Sequence, residues 1–187
     1  MSGSLSAVFL DRDGTLIADP GYISRPEDVA LLPGVAEGLS QLVRRGWPLV
    51  IVSNQSGIAR GRYGPEAFLA TTKRLTDLLA PHGVSFLGAY YCPHHPEFTG
   101  PCRCRKPGTL LFEQASREHN LDLPSSWYVG DRWHDLEPAL ELGGRAVMVR
   151  SPETRSEERE ASAHGFPVVD DLAQAAEHIL AATGIRA

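Results

Sequence analysis

Asp11 and Asp13 stand one residue apart at the end of the apolar run Val8-Phe9-Leu10, and Gly14 and Thr15 follow at once. On a strand, alternation points two such side chains to one side. The carboxyl end of a strand in an open α/β sheet is where such folds bind ligands. Paired carboxylates there can divide labour, one attacking or binding a metal while the other moves a proton. The same residues would also make an Asp-rich turn. Their meaning therefore depends on what else the chain brings to that place.

Three further strand ends carry matching chemistry. Val50-Ile51-Val52 runs into Ser53-Asn54-Gln55-Ser56-Gly57, where hydroxyls, amides and free backbone N–H groups suit phosphate oxygens. Arg105-Lys106-Pro107 leads into a helix. Its lysine offers a compact cation for phosphoryl oxygens and its arginine a planar fork for a second anionic group. Trp127-Tyr128-Val129-Gly130-Asp131 ends another strand, with Asp135 one helical turn later. Asp131 is a hard-oxygen ligand candidate for Mg²⁺, and Asp135 is placed to orient Asp131 or Lys106.

All three cysteines fall between positions 92 and 104, as Cys92-Pro93-His94-His95 and Cys102-Arg103-Cys104. The pattern CxH…CxC supplies three thiolates and an imidazole, the donors of a closed tetrahedral Zn²⁺ site. Cys92, His94, Cys102 and Cys104 are the expected ligands, with His95 the rival for the histidine place. No open coordination position is expected, so this zinc would be structural. An odd cysteine count argues against a disulfide framework.

These side chains need a scaffold that brings strand ends together. Apolar runs at 7–10, 48–52, 86–91, 127–129, 146–149 and 167–169 read as strands. Helical periodicity marks 35–45, 65–80, 110–119, 136–142 and 172–182. Within 65–80 the spacing places Phe68, Leu69, Leu75, Leu78 and Leu79 inward. Alternating β and α of these lengths predicts an α/β fold, a doubly wound parallel sheet with helices on both faces. The charged segment 151–165 reads as a surface loop or short exposed helix with no assigned function. Of the remaining histidines, His134 is near enough to Asp131 to be a candidate substrate contact.

At 187 residues, with 42% hydrophobic and 22% charged, the chain suits one soluble domain over 1–187. A net charge of -5 speaks against nucleic-acid partners, because such binding rests on phosphate neutralisation. No apolar run is long enough to span a membrane. The first six residues lack the basic and apolar regions of a signal peptide, the expectation for a cytoplasmic protein.

DxD, Ser, Lys and GDxxxD on four successive strand ends resemble the haloacid dehalogenase-type (HAD-like) phosphohydrolases, whose core is Rossmann-like. Carried over, the resemblance implies that Asp11 attacks phosphorus and that Asp13 protonates the leaving oxygen and then activates water. Ser53 and Lys106 would hold the phosphoryl oxygens. Mg²⁺ would sit among Asp11, the backbone carbonyl of Asp13, and Asp131. Asp13 stands where the phosphorylating ATPases carry Thr, which by the same resemblance implies a phosphatase or a phosphomutase. Residues 14–52 and 57–102 leave no room for the cap domain that a mutase would need to exclude water, so hydrolysis is the expectation.

DRDGT, SNQSGIARG, YYCPHHP, CxCRKP and GDxxxD together resemble the capless family of heptose-bisphosphate and histidinol-phosphate phosphatases with a zinc loop. That resemblance implies a small phosphorylated sugar as substrate, 7-phosphate hydrolysis in nucleotide-heptose biosynthesis, and a monomer. Asp19-Pro20-Gly21-Tyr22 would face the substrate, as would Asn54, Gln55, Ser56 and Arg105. Histidinol phosphate, a polynucleotide 3′-phosphate, and a zinc-stapled binding module without catalysis are the alternatives. The chain departs from the family at Lys106-Pro107-Gly108-Thr109, about two residues shorter than usual, and at Arg132, where Lys is frequent.

Overall fold

Among the described residues six mostly β-branched or aromatic runs form strands, the central ones buried and the edge strands β3 and β6 only partly so: β1 (Val8–Leu10), β2 (Leu49–Asn54), β3 (Gly88–Cys92), β4 (Trp127–Gly130), β5 (Arg145–Val149) and β6 (Val168–Val169). The computed structural model describes residues 4–184. Every strand pairing is parallel and the order is β3-β2-β1-β4-β5-β6. Phe9 pairs with Val50 on one side and Tyr128 on the other. The chain builds outward from β1 to β3, then returns to place β4 beside β1. That reversal opens a crevice at the carboxyl ends of the central strands.

Helices cover both faces: α1 (Val35–Arg44), α2 (Ser56–Ala59), α3 (Pro65–Leu79), α4 (Pro96–Thr99), α5 (Leu110–His119), α6 (Trp133–Leu136), α7 (Pro138–Leu142), α8 (Glu158–Ala163) and α9 (Leu172–Ala182). Alternation along the strands sorts the core in two. Val8, Leu10, Leu49, Ile51 and Val129 pack with Leu39 and Leu42 of α1 and with Ala176 and Ile179 of α9. Phe9, Val50, Val52, Tyr128 and Met148 face the other way, onto Leu111, Phe112 and Ala115 of α5. There Phe9, Phe112 and Tyr128 form a ring cluster with centroids 5.2 to 5.3 Å apart. Truncating such a residue, as in Phe112→Ala, typically costs about 3–5 kcal/mol.

The expected scaffold is present, with four corrections. Leu69 does not point inward but is 60% exposed, because Phe68, Thr71, Thr72 and Leu75 make the buried face of α3. The helix expected at 136–142 starts earlier, at Trp133, and breaks before Pro138, which lacks the N–H that would continue it. The four-residue helices α2 and α4 are too short to show helical periodicity in the sequence. Segment 151–165 contains the expected short helix, but Ser151, Thr154 and Ala161 are buried, so it is packed and not simply solvated.

Among the described residues no domain is inserted between β1 and β3, and no helix is long and apolar enough to cross a membrane. Residues 1–3 and 185–187 lie outside the description. The readings of the N-terminal leader and of one domain over 1–187 therefore extend beyond it.

Candidate active site

β1, β2 and β4 deliver Asp11, Ser53 and Asp131 to one crevice. The turn before α5 brings Lys106, and α6 brings Asp135. Gly14 makes the closest approach possible. Its φ is +88°, and a Cβ there would lie 2.7 Å from Asp131 Oδ2, so only glycine lets the loop after β1 fold over that carboxylate. Gly130 serves likewise, since its Cβ would lie 2.2 Å from the Cβ of Asp135.

Lys106 is the electrostatic centre. Its Nζ lies 2.6 Å from Asp11 Oδ1, 2.7 Å from Asp135 Oδ1 and 2.6 Å from the carbonyl oxygen of Val52. Asp11 Oδ1 and the Val52 carbonyl accept hydrogen bonds from the ammonium, and Asp135 Oδ1 faces it as an ion pair without a hydrogen bond. In this arrangement the ammonium orients Asp11. Its third N–H, not hydrogen-bonded to Asp135, is the one free to grip a phosphoryl oxygen, the expected role. Asn54 holds the same residue by its backbone, donating to the Lys106 carbonyl at 3.2 Å and accepting from its N–H at 2.9 Å. Burial drives the Lys106 pKa down, but Asp11 and Asp135 together drive it further up, so it stays charged.

Asp11, Asp131 and Asp135 offer carboxylate oxygens that all lie within 4.8 Å of one another. Burial, then repulsion from Asp135 and Asp131, raises Asp11 well above the usual carboxylate range against the pull of Lys106. Burial, then Asp135, pushes Asp131 up to about 7. Asp135 is held low despite burial, chiefly by Lys106, and its Oδ2 also accepts the Arg132 N–H at 3.0 Å. Three carboxylates against one ammonium leave a deficit of two positive charges. A hard divalent cation such as Mg²⁺ fits that donor set. The Asp13 carboxylate is not in the cluster, because it turns to Arg12 and Gln55.

A cleft of about 360 Å³ opens over these groups. Of the expected substrate-facing residues, Asp19, Gly21, Tyr22, Asn54, Ser56 and Arg105 line it, as do Asp11, Asp13 and Ser53. Pro20 does not. Gln55 is a clear correction: it is 1% exposed, and both ends of its amide are spent on Asp13, Ser53, Arg12 and Tyr63. His134 lines the cleft as suspected, with Nε2 3.3 Å from Asp135 Oδ1 and a pKa lowered by burial.

Arg12, Arg60 and Tyr63 are given no role by the motifs, and Arg132 stands out in sequence only as a departure from the family pattern. Arg60, Tyr63 and Arg132 line the cleft. The run Ile58-Ala59-Arg60-Gly61-Arg62, placed just beyond a strand end, was the available signal for Arg60.

The cysteine cluster also forms. Cys92, His94, Cys102 and Cys104 have ligand atoms all within 4.8 Å of one another, with His94 Nδ1 3.2 Å from Cys104 Sγ and 3.8 Å from Cys92 Sγ. Three sulfurs and one imidazole nitrogen at this spacing fit Zn²⁺. His95, the rival, faces the cleft instead, where its Nε2 lies 2.9 Å from Arg60 Nη2. The loop therefore turns one face to the four sulfur and nitrogen donors and the other to the cleft.

A doubly wound sheet with paired aspartates after β1, a serine after β2, a buried lysine before α5 and aspartates after β4 defines a HAD-like phosphohydrolase core. Residues 6–137 match the Polynucleotide kinase 3 phosphatase family and residues 103–175 the HAD-hydrolase-like family. The D-glycero-beta-D-manno-heptose-1,7-bisphosphate 7-phosphatase of Yersinia pestis is 41% identical over 169 residues, 87% of this chain and 90% of that protein. The Vibrio cholerae enzyme of the same name is 39% identical over 180 residues, 93% and 96% of the two chains. The crystal structure of D,D-heptose 1,7-bisphosphate phosphatase from B. bronchiseptica, complexed with magnesium and phosphate, matches with a TM-score of 0.85 at 29% identity. That match covers 95% of this chain and 99% of the other. The chain belongs to the HAD-like hydrolases and, within them, to the family of the heptose-1,7-bisphosphate 7-phosphatases.

Proposed function

We propose that this protein is a Mg²⁺-dependent phosphatase that removes the 7-phosphate of D-glycero-D-manno-heptose 1,7-bisphosphate through an aspartyl-phosphate on Asp11. The observation that carries the reading is identity near 40% over nearly the whole length of enzymes with that activity. No group that the chemistry needs is missing from this chain.

Asp11, held by Lys106, attacks phosphorus, and the bond to the sugar oxygen breaks. Asp13 at the cleft wall gives that oxygen its proton. Asp13 then takes a proton from water, which attacks the phosphorus of the aspartyl-phosphate and releases inorganic phosphate and free Asp11. Ser53 Oγ already accepts from Gln55 Nε2 at 2.8 Å, so its own O–H is available to donate to a phosphoryl oxygen. Asp11 and Asp131, with the backbone carbonyl of Asp13, would hold Mg²⁺, which when bound offsets the charge between carboxylate and phosphate. Zn²⁺ at Cys92, His94, Cys102 and Cys104 would be structural and would stiffen the segment that presents Arg105.

Arg60, Arg105 and Arg132 on the cleft wall suit a substrate with a second anionic group beyond the reacting phosphate. Phosphate release with Mg²⁺, followed by ³¹P NMR of the product, tests the assignment. The expected result is a higher kcat/KM for heptose 1,7-bisphosphate than for histidinol phosphate or a 3′-phosphorylated oligonucleotide, with the 1-phosphate retained. A preference for either competitor would reassign the substrate.

A further inference from the structure

Arg12 is the largest fully buried side chain among the described residues, at 0% exposure; in sequence it stands between Asp11 and Asp13, and in space it pairs with Asp13. All five of its N–H directions find acceptors. Nε donates to Asp13 Oδ1 at 2.9 Å and Nη2 to Asp13 Oδ2 at 3.0 Å. Nη2 also reaches Gln55 Oε1 at 3.3 Å, while Nη1 donates to the hydroxyls of Thr71 and Thr72 at 2.9 and 3.1 Å. The plane of the guanidinium lies over the Phe68 ring, 4.7 Å from its centroid. α3 thus supplies the bed on which the arginine rests.

Gln55 completes the frame. Its Nε2 donates to Asp13 Oδ2 at 2.6 Å and to Ser53 Oγ at 2.8 Å, and its Oε1 accepts from Tyr63 Oη at 2.7 Å. Three donors therefore fix the Asp13 carboxylate, and one amide ties it to Ser53.

A buried ion pair contributes little net stability compared with a well-packed apolar replacement. A forked, fully satisfied guanidinium does hold a carboxylate in one orientation. Proton transfer depends steeply on that orientation.

We propose that Arg12 and Gln55 are positioning residues that hold Asp13 for proton transfer to the leaving oxygen. The inference rests on the phosphatase reading and on Asp13 as its acid/base. A sugar alkoxide needs a proton to leave, whereas p-nitrophenolate does not. Because kcat/KM reports steps through formation of the aspartyl-phosphate, misplacing Asp13 should penalise the sugar phosphate selectively.

The test compares kcat/KM for heptose 1,7-bisphosphate and for p-nitrophenyl phosphate in Asp13→Asn, Arg12→Lys, Gln55→Leu and the double variant Asp13→Asn/Arg12→Lys. Arg12→Lys and Gln55→Leu should each lose about tenfold or more on the sugar phosphate and less than about threefold on the nitrophenyl ester. In the Asp13→Asn background, Arg12→Lys should cost nothing further on the sugar phosphate, because residues that act as a unit are not additive. Equal losses on both substrates, or additive losses in the double variant, would overturn the inference while leaving the reaction intact. Should Arg12→Lys fail to fold, Gln55→Leu carries the same comparison. If Asp13→Asn itself shows no leaving-group dependence, the acid/base assignment fails instead, which separates the two outcomes.

Discussion

Lys106 Nζ lies 2.6 Å from Asp11 Oδ1, across 95 residues of sequence, and both groups are buried. The contact joins the end of β1 to the turn before α5, aims the carboxylate proposed to attack, and pulls its pKa back down against the rise that burial causes. Lys106→Met removes the single ammonium facing Asp11 and Asp135. Leaving buried carboxylates unpaired should cost about 3 kcal/mol or more of stability. It should also lower kcat/KM by about 100-fold or more. Urea unfolding and steady-state kinetics check both. A variant as stable and active as the parent would show that the pair is dispensable.

Metal-free protein should become less stable as pH rises. Asp131 is pushed up to about 7, by burial first and Asp135 second, from an ordinary value of 3.8, and Asp11 is raised as well. A carboxyl that titrates higher in the folded state binds its proton more tightly there. Its stabilising effect is present at low pH and lost as pH climbs through the folded value. The urea midpoint should therefore fall between about pH 4 and pH 7. Saturating Mg²⁺ should flatten the slope, with proton release on binding near pH 6. A midpoint that rises across this window without metal would contradict the charge balance described.

Removing the zinc proposed at the cysteine cluster should reach the cleft. Cys104 directly precedes Arg105 and Lys106, and His95 beside His94 contacts Arg60. Cys102→Ser should drop zinc from one ion per chain to none, lower Tm, and raise KM by about tenfold with a smaller change in kcat. Zinc content by atomic emission and substrate saturation curves decide it. A zinc-free variant with unchanged KM would confine the cluster to a local structural role.

Glu157 should support the site from outside. Its Oε2 accepts the Trp133 N–H at 2.5 Å at the start of α6, the helix that carries Asp135. Glu157→Ala should cost about 1 kcal/mol, the usual value of a lost helix cap. That corresponds to a Tm lower by about 2–4 °C. An unchanged Tm would mean that water satisfies the N–H equally well.

These contacts show what the sequence makes legible. The strand ends and their aspartates could be read because each follows an apolar run, and the parallel order follows from alternation of elements. The cysteine loop was readable by spacing, but His94 and His95 differ by one position, and only the turn of the loop decides between them. Gln55 reads as a phosphate donor because exposed amides after strands often are. Its inward turn depends on Arg12, and a fully buried arginine has no sequence signature, since arginine is ordinarily exposed. Segment 151–165 reads as solvated by composition, which hides the buried Ser151 and Thr154 and the contact from Glu157 to Trp133. Leu69 fails for the converse reason: on α3 the buried stripe includes threonines that serve Arg12.

The central claim is that Asp11 carries the phosphoryl group. Acid quench of wild-type protein turning over heptose 1,7-bisphosphate with Mg²⁺, followed by peptide mass analysis, measures it directly. The account predicts a phosphoryl group on the peptide containing Asp11, absent in Asp11→Asn, whose kcat falls by roughly 10⁴ or more with its fold intact. Turnover by Asp11→Asn within about tenfold of the parent, or a phosphoryl group on another residue, would contradict it.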